Sequence, residues 1–375
     1  MIYLDYSANT PADSRVLERF CEVERSCPGN ANSHHQAGRD AKLVIDHATQ
    51  TIAGLLSAQP AEVVYTSGAS EANNFALKGL AKLSRHLGKH IISTPLEHSS
   101  VSGTLTALQE QGYEIDLVDI KRDGTIDLDH LKELLRPDTI VVAVTMVDSE
   151  LGVVQPVQEI AEILKEYPHC HLHVDATQAV GKIPVSFEGV DTMSLTAHKF
   201  YGLNGIGLLL KRRNLALEPL IHGGESTTIY RSGTPTVALA SSLALALELA
   251  VEQLPEHAEA VQKANAFLRT ELAKYPKVRI NSPENAIPHI LNLSVQDVKG
   301  TVFQRELNEE GVCVSVKSAC SSDGLPSRAV FAVSRDRRNA LSSWRVSLSH
   351  RTTEEDLRGF LAAFDHCYRR LTETK

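Results

Sequence analysis

The stretch Ser194-Leu195-Thr196-Ala197-His198-Lys199-Phe200-Tyr201-Gly202 decides how the whole chain is read. It sets one lysine just past an apolar strand, behind a hydroxyl and an imidazole and ahead of a glycine-punctuated turn. Upstream, the run His171-Leu172-His173-Val174 ends in Asp175-Ala176-Thr177-Gln178. Outward from these two junctions, short apolar β-branched runs alternate with helical patterns. That is the signature of βαβ units and a largely parallel sheet. The predicted strands are residues 62–67, 90–95, 114–120, 140–147, 171–175, 192–197 and 206–211. A helix is predicted over 39–56, with Val44, Ile45, Ala48, Ile52 and Leu55 on one face. Others begin near Ser70, Ser99, Leu128 and Val157.

The pattern changes after Thr234. A long helix from Val237 to about Leu254 reads as a bridge, and strands near 289–295, 312–316 and 344–348 then alternate with helices near 300–309 and 353–371. The expectation is an α/β protein with a large domain over 13–250. A smaller α+β domain would combine 1–12 with 251–375, the site lying between the two.

Composition narrows the function. A net charge of −8 over 375 residues argues against direct nucleic-acid binding as the main business, although Arg335, Arg337 and Arg338 could form a local patch. The amino terminus lacks the pattern of a signal peptide, and no apolar run reaches a membrane span. Six cysteines without a CxxC pair do not make a disulfide framework. The expected compartment is the reducing cytoplasm.

A lysine after a strand is commonly a solvated loop residue, and an aspartate there is commonly a cap. At the carboxyl ends of successive strands of an open α/β sheet, however, both fall where ligands bind. A lysine and an acid so placed are what pyridoxal phosphate requires. Lys199 would form the Schiff base, and Asp175 would hold the pyridinium nitrogen protonated. Partial burial would lower the lysine's pKa and make it a nucleophile and base. Gln178 could donate to the cofactor's phenolic oxygen. The junction Thr66-Ser67-Gly68-Ala69-Ser70-Glu71 opens a helix whose N–H groups could cradle the phosphate. Helix caps look alike everywhere, so this junction gains weight only beside the other two. His98, just past the strand ending at Pro95, could stack on the cofactor and move protons, or be structural.

Among the cysteines, Cys21 (with Leu17 and Phe20) and Cys367 (with Phe360 and Phe364) read as core, and Cys27 beside Pro28 as exposed. Cys320, within Lys317-Ser318-Ala319-Cys320-Ser321-Ser322-Asp323-Gly324, is expected on a mobile exposed loop, with Lys317 favouring its thiolate. Arg345, a charge in an apolar strand, would bind a substrate carboxylate or an internal acid. Alternation puts His169, His171 and His173 on one strand face, as for zinc, but a buried strand leaves little room for open coordination and no metal site is assigned.

In this order the motifs resemble the cysteine desulfurases of the iron–sulfur-cluster and nitrogen-fixation type, within the class V aminotransferases. The likeness runs from Tyr3-Leu4-Asp5-Tyr6-Ser7-Ala8-Asn9-Thr10-Pro11 through Gly29-Asn30, Gly38-Arg39, the phosphate junction and Glu97-His98. It continues through Glu150-Leu151-Gly152-Val153-Val154-Gln155-Pro156, Arg231-Ser232-Gly233-Thr234 and Ser318-Ala319-Cys320 to Arg345-Val346-Ser347. The resemblance implies fold-type I and a homodimer. It puts Ala69 and Ser70 at the phosphate, supplemented by Thr196 and His198, with Thr234 reaching the neighbouring subunit's cofactor. It stacks His98 on the ring, sets Arg345 and Asn30 at the substrate, and makes Cys320 the sulfur acceptor. The implied reaction converts L-cysteine to L-alanine and leaves a persulfide on Cys320 for an acceptor protein. A related aminotransferase or lyase would use Lys199 and Asp175 without Cys320, and a decayed cofactor-bound scaffold is a further alternative. Asp148-Ser149 stand where the family usually has two asparagines, the second on the phenolic oxygen, and Lys317 stands for a common glycine.

Overall fold

The computed structural model of the chain describes residues 1–317 and 325–373. A short strand, β1 (Ile2–Tyr3), precedes helices α1 (Ser14–Ser26) and α2 (Gln36–Leu55). Seven strands then build one sheet: β2 (Val63–Thr66), β3 (His90–Ser93), β4 (Glu114–Leu117), β5 (Thr139–Thr145), β6 (His171–Asp175), β7 (Thr192–Thr196) and β8 (Gly207–Lys211). Between them lie α3 (Ala69–Ser84), α4 (Ser99–Gln109), α5 (Leu128–Leu134) and α6 (Val157–Leu164). All seven predicted strands are present, in the order β2-β8-β7-β6-β5-β3-β4.

The sheet is mostly parallel, as expected. Only β8 runs against its neighbours β2 and β7. Residues 197–206 are too few for a crossover helix, so β8 must return beside β7 in the opposite sense. That short return is the lysine turn itself. β5 is buried along its whole length because helices cover both faces of the sheet. On one face Phe75, Leu77 and Leu80 of α3 and Leu105 of α4 meet Ile91, Val141 and Leu209. On the other, Val174, Met193 and Leu195 join a larger cluster with Leu243 and Leu247.

Those two leucines belong to α7 (Val237–Glu252), which breaks at Gln253 and continues as α8 (Leu254–Leu272) with the axes 65° apart. The sequence pattern predicted α7 but not α8. Pro255 in the first turn of α8 has no N–H to carry the earlier helix onward, which accounts for the break. No single helix among the described residues is long and apolar enough to cross a membrane.

The remaining elements are β9 (Val278–Ile280), β10 (Ile290–Val295), α9 (Gly300–Glu309), β11 (Val312–Cys313), α10 (Arg328–Ser334), α11 (Arg337–Ser342), β12 (Ser343–Ser347) and α12 (Glu354–Thr372). β12, β10 and β9 form an antiparallel sheet, and β1 pairs in parallel with β11. A second core gathers Trp344, Phe303, Phe360 and Phe364, with Leu4 from the amino terminus.

Two cysteine expectations change. Helix α1 buries Val16 and Val23, seven residues apart, and this turns Leu17 outward (49% exposed) and leaves Cys21 half-buried. Cys27 is half-buried against the cluster of Val23 and Ile45 rather than exposed. Cys367 is buried.

Candidate active site

Strand β7 alternates its faces. Met193 and Leu195 enter the large core, while Thr192, Ser194 and Thr196 point to the opposite side. The chain then tightens into a single 3-10 turn, Ala197–Lys199. Gly202 closes it, because a Cβ there would stand 2.6 Å from that of Ala197. Tyr201 adopts a left-handed backbone (φ 66°), a strained state for a residue with a side chain. Its N–H donates to Thr10 Oγ1 (2.8 Å), and its hydroxyl lies 2.5 Å from Ser349 Oγ. Thr10 in turn donates through both its N–H and its hydroxyl to the His198 carbonyl. The amino-terminal segment is thereby laid over the turn, and Lys199 Nζ donates to the carbonyls of Ser7 (2.8 Å) and Ala8 (2.5 Å).

Asp175, at the end of β6, is buried and carries a fixed set of bonds. Its Oδ1 accepts from the Thr177 N–H (2.9 Å) and its Oδ2 from Asn73 Nδ2 (2.8 Å). Because a carboxylate accepts, Asn73 must turn its amino group toward it and its Oδ1 away. That oxygen takes bonds from His173 Nε2 (3.0 Å) and Ser194 Oγ. His173 Nδ1 meets Thr192 Oγ1 at 2.9 Å, and burial pulls its pKa down to about 4. With both nitrogens engaged, this neutral imidazole serves as a strut for Asp175.

The second hydrogen of Asn73 Nδ2 reaches Ser100 Oγ (2.9 Å), which lies 2.9 Å from His98 Nδ1. His98 Nδ1 also caps α4 by accepting the Ser100 N–H (3.2 Å). Burial lowers the pKa of His98, Asp175 raises it and Lys199 lowers it further. A neutral ring accepting at Nδ1 carries its proton on Nε2.

At the start of α3, Gly68 has φ 154° and ψ 177°, a conformation essentially closed to other residues. The N–H groups of Ala69, Ser70 and Glu71 head the helix without intrahelical acceptors. Glu71 turns its carboxylate back toward that end, accepting from Arg231 Nε (3.0 Å) and the Ser67 N–H (2.7 Å). Beside it, burial and then Lys199 lower the pKa of His198 to about 4.

These groups converge. Ala69, Ser70, His98, Ser149, Asp175, Gln178, Thr196, His198, Lys199 and Arg345 all line one cavity of about 360 Å³. Arg345, fully buried on β12, donates from Nη2 to Asp5 Oδ1 (3.0 Å) and from Nη1 to the Ser149 carbonyl (2.6 Å). Asn30 and Thr234 are exposed and do not line the cavity. Cys320 lies outside the described residues. Three contributors had not been singled out: Asp5 and Ser7, inside the amino-terminal motif, and Asn73, one turn into the helix after the phosphate junction. Spacing offered a signal only for Asn73.

The sequence profile of the family "Aminotransferase class-V" matches residues 2–360. The chain belongs to the class-V aminotransferase family. Among its relatives in that family, a cysteine desulfurase IscS from Dictyoglomus turgidum is 38% identical over 361 residues, covering 95% of this chain and 91% of the relative. The structure of a NifS-like protein aligns with a TM-score of 0.91 at 34% identity, covering 99% of both chains. That of SspA in complex with cysteine aligns with a TM-score of 0.83 at 31% identity, covering 94% of this chain and all of the other.

In this member of the class-V family, Asp148 shows what its departure from asparagine does. Its Oδ2 caps the following turn by accepting the N–H groups of Leu151 and Glu150, a task for an acceptor oxygen that asparagine also has. Burial raises its pKa to about 7. Nearby, burial pushes Glu97 up to about 8 from its ordinary 4.5. Its Oε1 accepts from Thr94 Oγ1 (2.7 Å) and the Thr145 N–H (2.9 Å). Between those two pKa values the folded chain binds a proton that the unfolded chain has released. The contribution of Glu97 is therefore fully present below about pH 4.5 and is lost as pH rises through about 8. Glu97→Gln is expected to match the parent's melting temperature at pH 5 and to exceed it by roughly 4 °C at pH 9. Thermal melts across that range check this, and parallel pH profiles would refute it.

Proposed function

We propose that this chain is a cysteine desulfurase that uses pyridoxal phosphate to convert L-cysteine to L-alanine and passes the sulfur to an acceptor protein. The observation that carries the reading is the shared cavity, lined together by Lys199, Asp175, the start of α3 and the buried cation Arg345. Its fit to the cofactor is supported by three features: the volume, the glycine-opened helix start, and the hydroxyls of Ser7 and Thr177, buried without partners among the described residues. When bound, pyridoxal phosphate supplies an electron sink for the negative charge left at the substrate Cα.

The chain's own residues do the rest. The N–H groups of Ala69 and Ser70 hold the phosphate, with Thr196 and His198 beside them. Asp175 would keep a proton on the ring nitrogen, and Gln178 and Ser149 would serve the phenolic oxygen. Arg345 binds the substrate carboxylate, steadied from behind by Asp5. Lys199 removes the Cα proton. His98 would stack on the ring and present its Nε2–H to the substrate as a hydrogen-bond donor. The Cys320 thiolate then attacks the substrate sulfur. An S–S bond forms as the C–S bond breaks, the electron pair passes to Cβ, and protonation there releases alanine. No external oxidant is needed. We further propose a homodimer in which Thr234 serves the partner's cavity, a cytoplasmic location, and a two-domain division at residues 13–250 against 1–12 with 251–375.

The test is to incubate the cofactor-loaded protein with L-cysteine and a thiol reductant. Alanine release is expected, with a mass gain of one sulfur on the peptide bearing Cys320 before reductant is added. Cys320→Ser should abolish both. Undiminished alanine formation by that variant would move the assignment to a related aminotransferase or lyase.

A further inference from the structure

Lys182 is buried (8% exposed) and has no part in the steps above. It lies four residues after Gln178 on the turn that follows β6, and its Nζ donates to Gln178 Oε1. At the other end of that amide, Nε2 donates to the Ser7 carbonyl at 2.9 Å. The same carbonyl oxygen accepts from Lys199 Nζ at 2.8 Å. A carbonyl can only accept, and a lysine nitrogen donates whether charged or neutral. The amide is thus locked from both ends, its oxygen toward Lys182 and its amino group toward the wall formed by Ser7 and Lys199.

Holding a lysine here is costly. Burial drives its pKa well below the usual value, and Lys199 and Arg345 add repulsion. Buried His289, whose Nδ1 has no partner among the described residues, also faces this charge. An apolar side chain of similar volume would avoid that penalty.

We propose that Lys182 is a positioning residue that fixes the Gln178 amide with its donor edge toward the cofactor's phenolic oxygen and the carbonyl anchoring Lys199. The assignment rests on the pyridoxal phosphate reading above and extends it to a residue outside the cavity wall. An unlocked amide could present either edge, and its oxygen would repel a phenolate.

The test titrates the visible absorbance of pyridoxal-phosphate-loaded protein against pH, a readout independent of turnover. Lys182→Met is expected to raise the midpoint by about 0.5 to 1 unit, the size of one hydrogen bond lost from the phenolate. Gln178→Ala should raise it similarly, and the double variant should move no further than Gln178→Ala alone. A lysine that merely supported the fold would change the melting temperature and leave the midpoint in place. An unmoved midpoint in folded Lys182→Met, or additive shifts in the double variant, would overturn the proposal. Lys182→Leu gives the same comparison if methionine is not accommodated. A parent protein without a titrating chromophore removes the cofactor reading and this assignment together, whereas a titrating parent with an unmoved variant removes this assignment alone.

Discussion

Lys199→Ala is expected to reduce cysteine-dependent alanine formation by about 10⁴-fold or more, because one side chain supplies both the covalent anchor and the Cα base. Loss of a positioned general base alone costs about 10²–10⁴-fold. The fold should survive. The Ser7 carbonyl keeps its bond from Gln178, and the bonds from Thr10 to the His198 carbonyl do not involve the lysine side chain. Cofactor should still enter, since the helix start and Asp175 are untouched, but it should wash out on gel filtration. Borohydride should attach it to the Lys199 peptide of the parent and to no peptide of the variant. Activity of the purified variant within about tenfold of the parent would show that another group is the base.

Asp175→Asn is expected to cost about 10²–10³-fold in kcat, the scale found when one preorganised electrostatic partner is removed from a reacting centre. Two effects add. The neutral amide cannot hold a proton on the ring nitrogen, so charge is delocalised less well. The site is also built for an acceptor. Oδ1 and Oδ2 receive bonds from Thr177 and Asn73, and in either orientation an asparagine would aim a donor at a donor. Asn73 can relieve this only by giving up its bonds from His173 and Ser194. Steady-state kinetics with cofactor occupancy measured in parallel separates slowed chemistry from lost binding. A fully occupied variant with parental kcat would remove Asp175 from the reaction.

Much of this architecture was legible in the residues. Strands of two-sided burial, such as β5 and β7, announce themselves as unbroken or alternating apolar runs. Lys199, Asp175 and Gly68 each sit at a strand end where the local pattern turns over. The helix break at Pro255 was written in the sequence too, but the apolar run leading into it masked the start of α8. Cys21 was misjudged because helical spacing fixes which residues share a face and leaves open which face meets the core.

The chain's linear order thus determined the seven strands, their mostly parallel arrangement and the placing of lysine and acid at adjacent strand ends, since side-chain periodicity and turn chemistry act over a few residues. Only the folded molecule decided that Asp5 pairs with Arg345, that the Ser7 carbonyl is shared by Gln178 and Lys199, and that Asn73 links Asp175 to His98. Those contacts join segments up to 340 positions apart. No local pattern specifies them; they form because buried polar groups brought together by packing must find partners or carry the cost of lost water.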